Sequence, residues 1–136
     1  MSYALSSALQ SAVYDLLRAD PALGLVIGPH VYDALPSASV PATYVLLGPE
    51  RVRDASDQTE QGAVHDFVVS VVSTASGFAE AKQAAAAICD CLAASQPTLS
   101  RGYLTGLSFL KAEATRSDTS GVRRINLVFR ARVGGA

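Results

Sequence analysis

The chain is predicted to fold as an α+β domain, a mostly antiparallel sheet of four to five strands with an N-terminal helix and an alanine-rich helix packed on it. Three observations predict this. An apolar strand over Ala63–Thr74 runs into a turn at Ser76-Gly77 and then into an alanine-rich helix, Phe78–Ala94. Two later strands are joined by a short polar loop, the arrangement of antiparallel neighbours. The elements follow one another as helix, strands, helix, strands, without the alternating series that builds a parallel α/β sheet.

The first helix is expected over Tyr3–Ala19, capped by Ser2, with Leu5, Leu9, Ala12, Val13 and Leu16 as its apolar stripe. Asp20-Pro21 ends it, because the residue before a proline is pushed out of helical geometry. The Gly- and Pro-containing stretch from Asp20 to His30 is read as a connection. Val31–Ala34 is a short strand candidate and Ala42–Leu47 a firmer one, which Gly48-Pro49 breaks or bends, since proline donates nothing to a central ladder. Glu50–Gln61 is polar and reads as a hairpin arm or mobile loop, with Arg51 and Arg53 on one side if extended.

In the central strand, alternation places Ala63, His65, Phe67, Val69 and Val71 toward the core and Val64, Asp66, Val68, Ser70 and Val72 away from it. In the alanine-rich helix Phe78, Ala81, Ala85, Ile88 and Leu92 recur at helical spacing, a stripe small enough to let the helix backbone lie close to a sheet. A strand through Leu104, Leu107, Phe109 and Ala112 follows, then a turn-rich loop, Ser117–Gly121. The last strand, Val122–Val133, alternates Ile125, Leu127, Phe129, Ala131 and Val133 against Arg124, Asn126, Val128, Arg130 and Arg132.

A length of 136 residues suits one domain, 1–136. Only 17% of residues are charged, against about 25% in a typical soluble domain, so part of the surface is a candidate for contact with neighbouring copies. Charge is unevenly spread: residues 1–100 hold four basic and ten acidic side chains, net −6, and residues 101–136 hold seven and two, net +5. Either the halves neutralise each other within one fold, or the basic segment faces nucleic acid or another subunit. No run reaches the roughly 18 apolar residues of a membrane span, and no signal-peptide pattern opens the chain. A cytoplasmic place of synthesis is expected.

Recognisable chemistry is sparse. Cys89 and Cys91 point to nearly opposite sides of a helix, and no further ligand cysteine accompanies them, so neither a bridge nor a metal site is expected. His65 adjoins Asp66, but neighbours on a strand face opposite sides, which denies the ring a triad-like carboxylate from that residue. Phosphate-loop, dinucleotide, nucleophile-elbow and zinc-helix motifs do not occur in the chain. No catalytic residue, cofactor or metal is assigned, and an enzyme is not expected. Arg123, Arg124, Arg130 and Arg132, interleaved with Phe129, have the residue types to track a phosphate backbone. The slightly acidic whole argues against a dedicated nucleic-acid module and favours a solvated or subunit-facing strand.

Taken in order, several local patterns carry a resemblance. They are the opening Tyr3-Ala4-Leu5, Val31-Tyr32-Asp33, Tyr44-Val45-Leu46-Leu47-Gly48, Gly62 with His65-Asp66, Val71-Val72-Ser73, Glu80-Ala81 and the closing Leu127-Val128-Phe129-Arg130. In order and spacing these are similar to the small tail-completion proteins, or tail terminators, of long-tailed bacteriophages and gene transfer agents. The resemblance implies a non-enzymatic structural protein of the particle. It would form a ring, commonly hexameric, on the head-proximal end of the tail tube, stop tube growth and join tail to head.

The partners implied are further copies of the chain, tail tube protein on one ring face and a head–tail connector or stopper protein on the other. DNA would only pass through the lumen, and no membrane is involved. The mature protein would sit in the neck or tail of the particle after assembly in the bacterial cytoplasm. On this reading Arg51, Arg53, Arg124, Arg130 and Arg132 are the candidates for a ring, lumen or partner surface. Within the resemblance another neck or head–tail connector component remains an alternative, and from residues alone so do a small dimeric ligand-binding domain and a nucleic-acid-binding domain.

Overall fold

The computed structural model describes residues 3–37 and 39–135; the expected cap at Ser2 lies outside them. The elements are α1 (Ser6–Ala19), α2 (Pro21–Ile27), β1 (Val31–Tyr32), β2 (Thr43–Asp54), β3 (Gly62–Ser73), α3 (Ala79–Ala94), β4 (Tyr103–Arg116) and β5 (Arg123–Gly134). The strands form one sheet in the order β1-β2-β3-β5-β4, antiparallel except for the short β1–β2 pairing. The fold is therefore α+β with a mostly antiparallel, five-stranded sheet, as the sequence predicts.

The helices share one face of the sheet. Their buried residues meet Val45 of β2, Phe67, Val69 and Val71 of β3, and Ile125, Leu127, Phe129 and Ala131 of β5 in a continuous core. Alternation places the core-facing sets of β3 and β5 as expected, and cross-strand partners such as Phe67 and Phe129, or Val71 and Ile125, extend the match from strand to strand. Seven buried side chains, four of them alanines, hold α3 close to the strands.

Local details differ from the sequence reading in four places. Helix α1 begins at Ser6, and its stripe is Leu9, Val13 and Leu17 with Ala8; Leu16 and Ala12 are only half-buried. The Asp20–His30 stretch is not a plain connection, because Pro21–Ile27 forms α2, burying Leu23 and Ile27. Its start is well specified: Asp20 accepts a hydrogen bond from the Leu23 amide at 2.9 Å, and Pro21 occupies the first turn, where its missing N–H is not needed. The short strand candidate shrinks to Val31–Tyr32, paired with Val45 and Leu46.

The largest difference concerns Gly48-Pro49, which does not end a strand. β2 continues to Asp54 through a bulge in which Gly48 and Pro49 together lie between the pairs Leu47–Val69 and Glu50–Phe67, opposite Val68 alone. A bulge is where a sheet tolerates proline, since the extra residue leaves the ladder locally unpaired. Glu50–Asp54 is thus strand, and the β2–β3 connection is correspondingly short.

β4 carries two similar irregularities. They fall between Leu104 and Gly106 and between Phe109 and Lys111, and they keep Leu104, Leu107, Phe109 and Ala112 on one face despite their uneven spacing. Gly121, at φ 72°, turns the chain from β4 into β5. Among the described residues no helix is long and apolar enough to cross a membrane.

Candidate functional site

A bulge shifts side-chain phase, and here that shift assembles the site. Residues before it face the helices at Thr43, Val45 and Leu47; after it the helix-facing residues are Glu50 and Val52, and Arg51 and Arg53 face the other way. There they join β5. Arg51 pairs with Asp66, which pairs with Arg130; Arg53 pairs with Val64, which pairs with Arg132; Val72 pairs with Arg124. All five predicted arginines therefore occupy the helix-free face of the sheet.

Across that face the basic side chains are Arg51, Arg53, Lys111, Arg124, Arg130 and Arg132, and the acidic ones are Asp66 and Glu113, six against two. Val64 and Val72 are buried there without a covering helix, each flanked in its row by long side chains: Arg53 and Arg132 beside Val64, Tyr44 and Arg124 beside Val72. Ser70 donates to Asn126 Oδ1 at 2.7 Å.

One acidic side chain is committed. Arg130 grips Asp66 with two hydrogen bonds, Nε to Oδ1 at 2.8 Å and Nη2 to Oδ2 at 2.9 Å. The grip holds the Asp66 carboxyl below its ordinary pKa, with Arg53 and Arg132 adding electrostatic support. Mutual neutralisation of the acidic and basic halves of the chain is thus realised at this pair. Arg51, Arg53, Arg124 and Arg132 remain exposed to solvent. An open sheet face with a positive surplus attracts polyanions loosely and in a salt-dependent way. Arg123, grouped with these residues by sequence, lies outside the set: it donates to the Ala75 carbonyl at 2.8 Å and sits over the Phe78 ring.

On the helix side, the same bulge creates a second cluster. Glu50 accepts hydrogen bonds from Tyr3 Oη and Ser6 Oγ on one carboxylate oxygen, and its other oxygen lies 3.2 Å from His65 Nδ1. His65 is fully buried and its ring stacks on that of Tyr3 at 6.5 Å. Burial raises the Glu50 pKa, but the hydrogen bonds from Ser6, Tyr3 and His65 outweigh it and hold the carboxyl below its ordinary value. The order of contacts matters for chemistry. An activated serine must touch the histidine, whereas here Ser6 and His65 both touch the carboxylate, so the cluster fastens the start of α1 to the sheet instead of priming a nucleophile.

As the sequence predicts, Asp66 does not orient His65; the carboxylate that does lies fifteen positions upstream on the neighbouring strand. Only the β2–β3 register places it there, and Gly48-Pro49 in the sequence leaves open whether the strand ends or bulges at that point. Cys91 is buried, and burial pushes its thiol up to about 11. Among the described residues, no three His, Cys, Asp or Glu side chains gather as a metal site.

Comparison with known proteins follows the same lines. Residues 11–134 match the family described as Tail completion protein gp17. Among solved structures, the chain is similar to one in the virion of a native gene transfer agent (GTA) particle. The two share 57% identity with a TM-score of 0.93, over 98% of this chain and 100% of that one. No curated protein matches.

Proposed function

The chain belongs to the Tail completion protein gp17 family, and from that premise we propose that it forms a hexameric ring on the head-proximal end of a tail tube, where it ends tube growth and joins tail to head. One ring face meets the last layer of tube protein and the other meets a connector or stopper protein of the head. Assembly takes place in the bacterial cytoplasm, and the mature protein resides in the neck of a phage or phage-like particle.

The observation that carries this reading is 57% identity over 98% of the chain with a component of a gene transfer agent virion. With a TM-score of 0.93 the two chains share the whole fold. The geometry supports it: the arginines lie on an open sheet face, and the Glu50, Ser6 and His65 cluster serves to hold α1 in place. A ring of copies related by rotation uses heterologous contacts, which close without leaving a growing end.

In this ring the helix-free face lines or borders the lumen, and Arg51, Arg53, Arg124, Arg130 and Arg132 are its partner-facing residues. Passing DNA requires a surface that tolerates phosphate without gripping it. One of the five arginines is already moderated, since Arg130 is held by Asp66. The proposal is tested by deleting the gene from its particle-producing host and imaging the particles. Tubes of uncontrolled length and heads without tails are expected, with both restored by the wild-type chain; tubes of normal length joined to heads would refute the reading.

A further inference from the structure

The two flanks of the sheet do not match each other, and the mismatch is complementary. At one flank β4 is an edge strand, with no strand neighbour on its outer side among the described residues. Its helix-side residue Phe109 is 51% exposed, and the bulged Leu110 beside it is 40% exposed. Phe109 ends an aromatic ladder: Phe67 stacks on Phe129 at 5.7 Å, and Phe129 meets Phe109 edge-on at 5.8 Å. Helix cover runs out before the ladder does.

At the opposite flank, β1 covers β2 only at Val45 and Leu46. Beyond them a cavity of about 340 Å³ opens between α1 and the β2 bulge, lined by Leu9, Val13, Leu47, Pro49 and Phe67 among others. Its volume is ample for a phenyl ring, which fits even a cavity of about 150 Å³, and its rim also carries Tyr3 and Gln10. The carboxylate of Glu50, which also borders this cavity, is turned inward to Tyr3, Ser6 and His65.

Register puts the two features at one height. Glu50, Phe67, Phe129 and Phe109 form a single cross-strand row spanning the sheet from flank to flank. For copies related by rotation about an axis along the strands, residues of one row stay level. β4 of one copy then runs antiparallel to β2 of the next. Pro49 and the bulge blunt continuous backbone pairing at that level, so a side chain must carry the contact.

From these observations we infer that Phe109 of each copy inserts into the cavity beside the β2 bulge of the next copy, and that this knob-in-hole contact is the anchor of the ring. The occupant is a second copy because knob and hole lie on opposite flanks of one chain at matching height. Such a pair is heterologous and propagates around a ring, whereas β4 against β4 would stop at a dimer and leave both holes empty. The inference rests on the ring reading above and names its contact.

The test uses the full-length chain, with a photoreactive phenylalanine analogue at position 109, in a mixture of isotope-labelled and unlabelled copies, alone and with tail tubes. Crosslinks between different copies, joining position 109 to residues 47–50 or 9–13, are expected. In parallel, Phe109→Lys should weaken assembly about tenfold or more by mass photometry while the unassembled chain stays folded by circular dichroism, its thermal midpoint lowered by no more than the few degrees that losing the Phe129 contact implies. Leu25→Lys, at a leucine 91% exposed on α2, should leave assembly intact. Rings that form with crosslinks elsewhere, with β4–β4 crosslinks, or undiminished by Phe109→Lys overturn the contact and leave the ring standing. Equal loss with Leu25→Lys also overturns it, as nonspecific apolar association. A wild-type chain that stays single at all concentrations and on tube ends overturns both.

Discussion

Replacing Glu50 by alanine removes the acceptor shared by three donors and should cost about 2–6 kcal/mol at pH 7. Tyr3 is exposed, so its hydroxyl turns to water at little loss. Ser6 is 7% exposed and His65 0% exposed, so both lose a partner in a buried setting when the carboxylate is gone. Leaving a buried polar group without its partner costs about 1–3 kcal/mol, and two such groups give the stated range. Glu50→Gln keeps the shape and most of the contacts and should cost less.

The pH dependence separates charge from shape. The folded-state carboxyl of Glu50 sits below its ordinary pKa because hydrogen bonds from Ser6, Tyr3 and His65 outweigh burial. Its stabilisation is therefore complete above the unfolded value of about 4.3 and is lost as pH falls through the folded value. Urea unfolding of the unassembled chain between pH 7 and pH 3 reads both effects. Part of the wild-type decline on the acid side should vanish in Glu50→Gln. A cost below about 0.5 kcal/mol for Glu50→Ala, or identical acid profiles for wild type and Glu50→Gln, would refute the reasoning.

Three further outcomes are expected. Phe129→Ala, at a ring 2% exposed between Phe67 and Phe109, should cost about 3–5 kcal/mol in urea unfolding; a loss under about 1 kcal/mol would contradict the placement of the core. Asp20→Ala removes the cap on the Leu23 amide and should cost about 1 kcal/mol, with faster hydrogen exchange at Leu23 and unchanged exchange in β3. Arg51→Gln combined with Arg53→Gln should leave stability within about 1 kcal/mol of wild type, since both side chains are exposed and the hydrogen bonds of Asp66 come from Arg130. In particles the same double change should leave tube length unaltered and lower DNA delivery, and normal delivery would remove these residues from the lumen.

What the chain says by itself is what depends on near neighbours. Alternation in β3 and β5 sorts Phe67, Val69, Ile125, Leu127 and Phe129 from Asp66, Ser70, Asn126 and Arg130, because a side chain's face on an unbroken strand follows from parity alone. Helical spacing locates α1 and α3 for the same reason, and the ordered motifs carry the family resemblance. Even α2 is legible in principle, through Asp20 as cap and Pro21 in the first turn, although the same proline also marks the end of α1.

Tertiary structure alone decided the rest. Parity fails across a bulge, and whether Gly48-Pro49 ends β2 or bulges within it depends on β3 supplying partners on both sides, Val69 for Leu47 and Phe67 for Glu50. That one decision sends Arg51 and Arg53 to the helix-free face beside Arg130 and Arg132, turns Glu50 toward His65, and opens the cavity level with Phe109. Each consequence couples residues far apart in the chain through strand pairing, and pairing is a property of the assembled sheet.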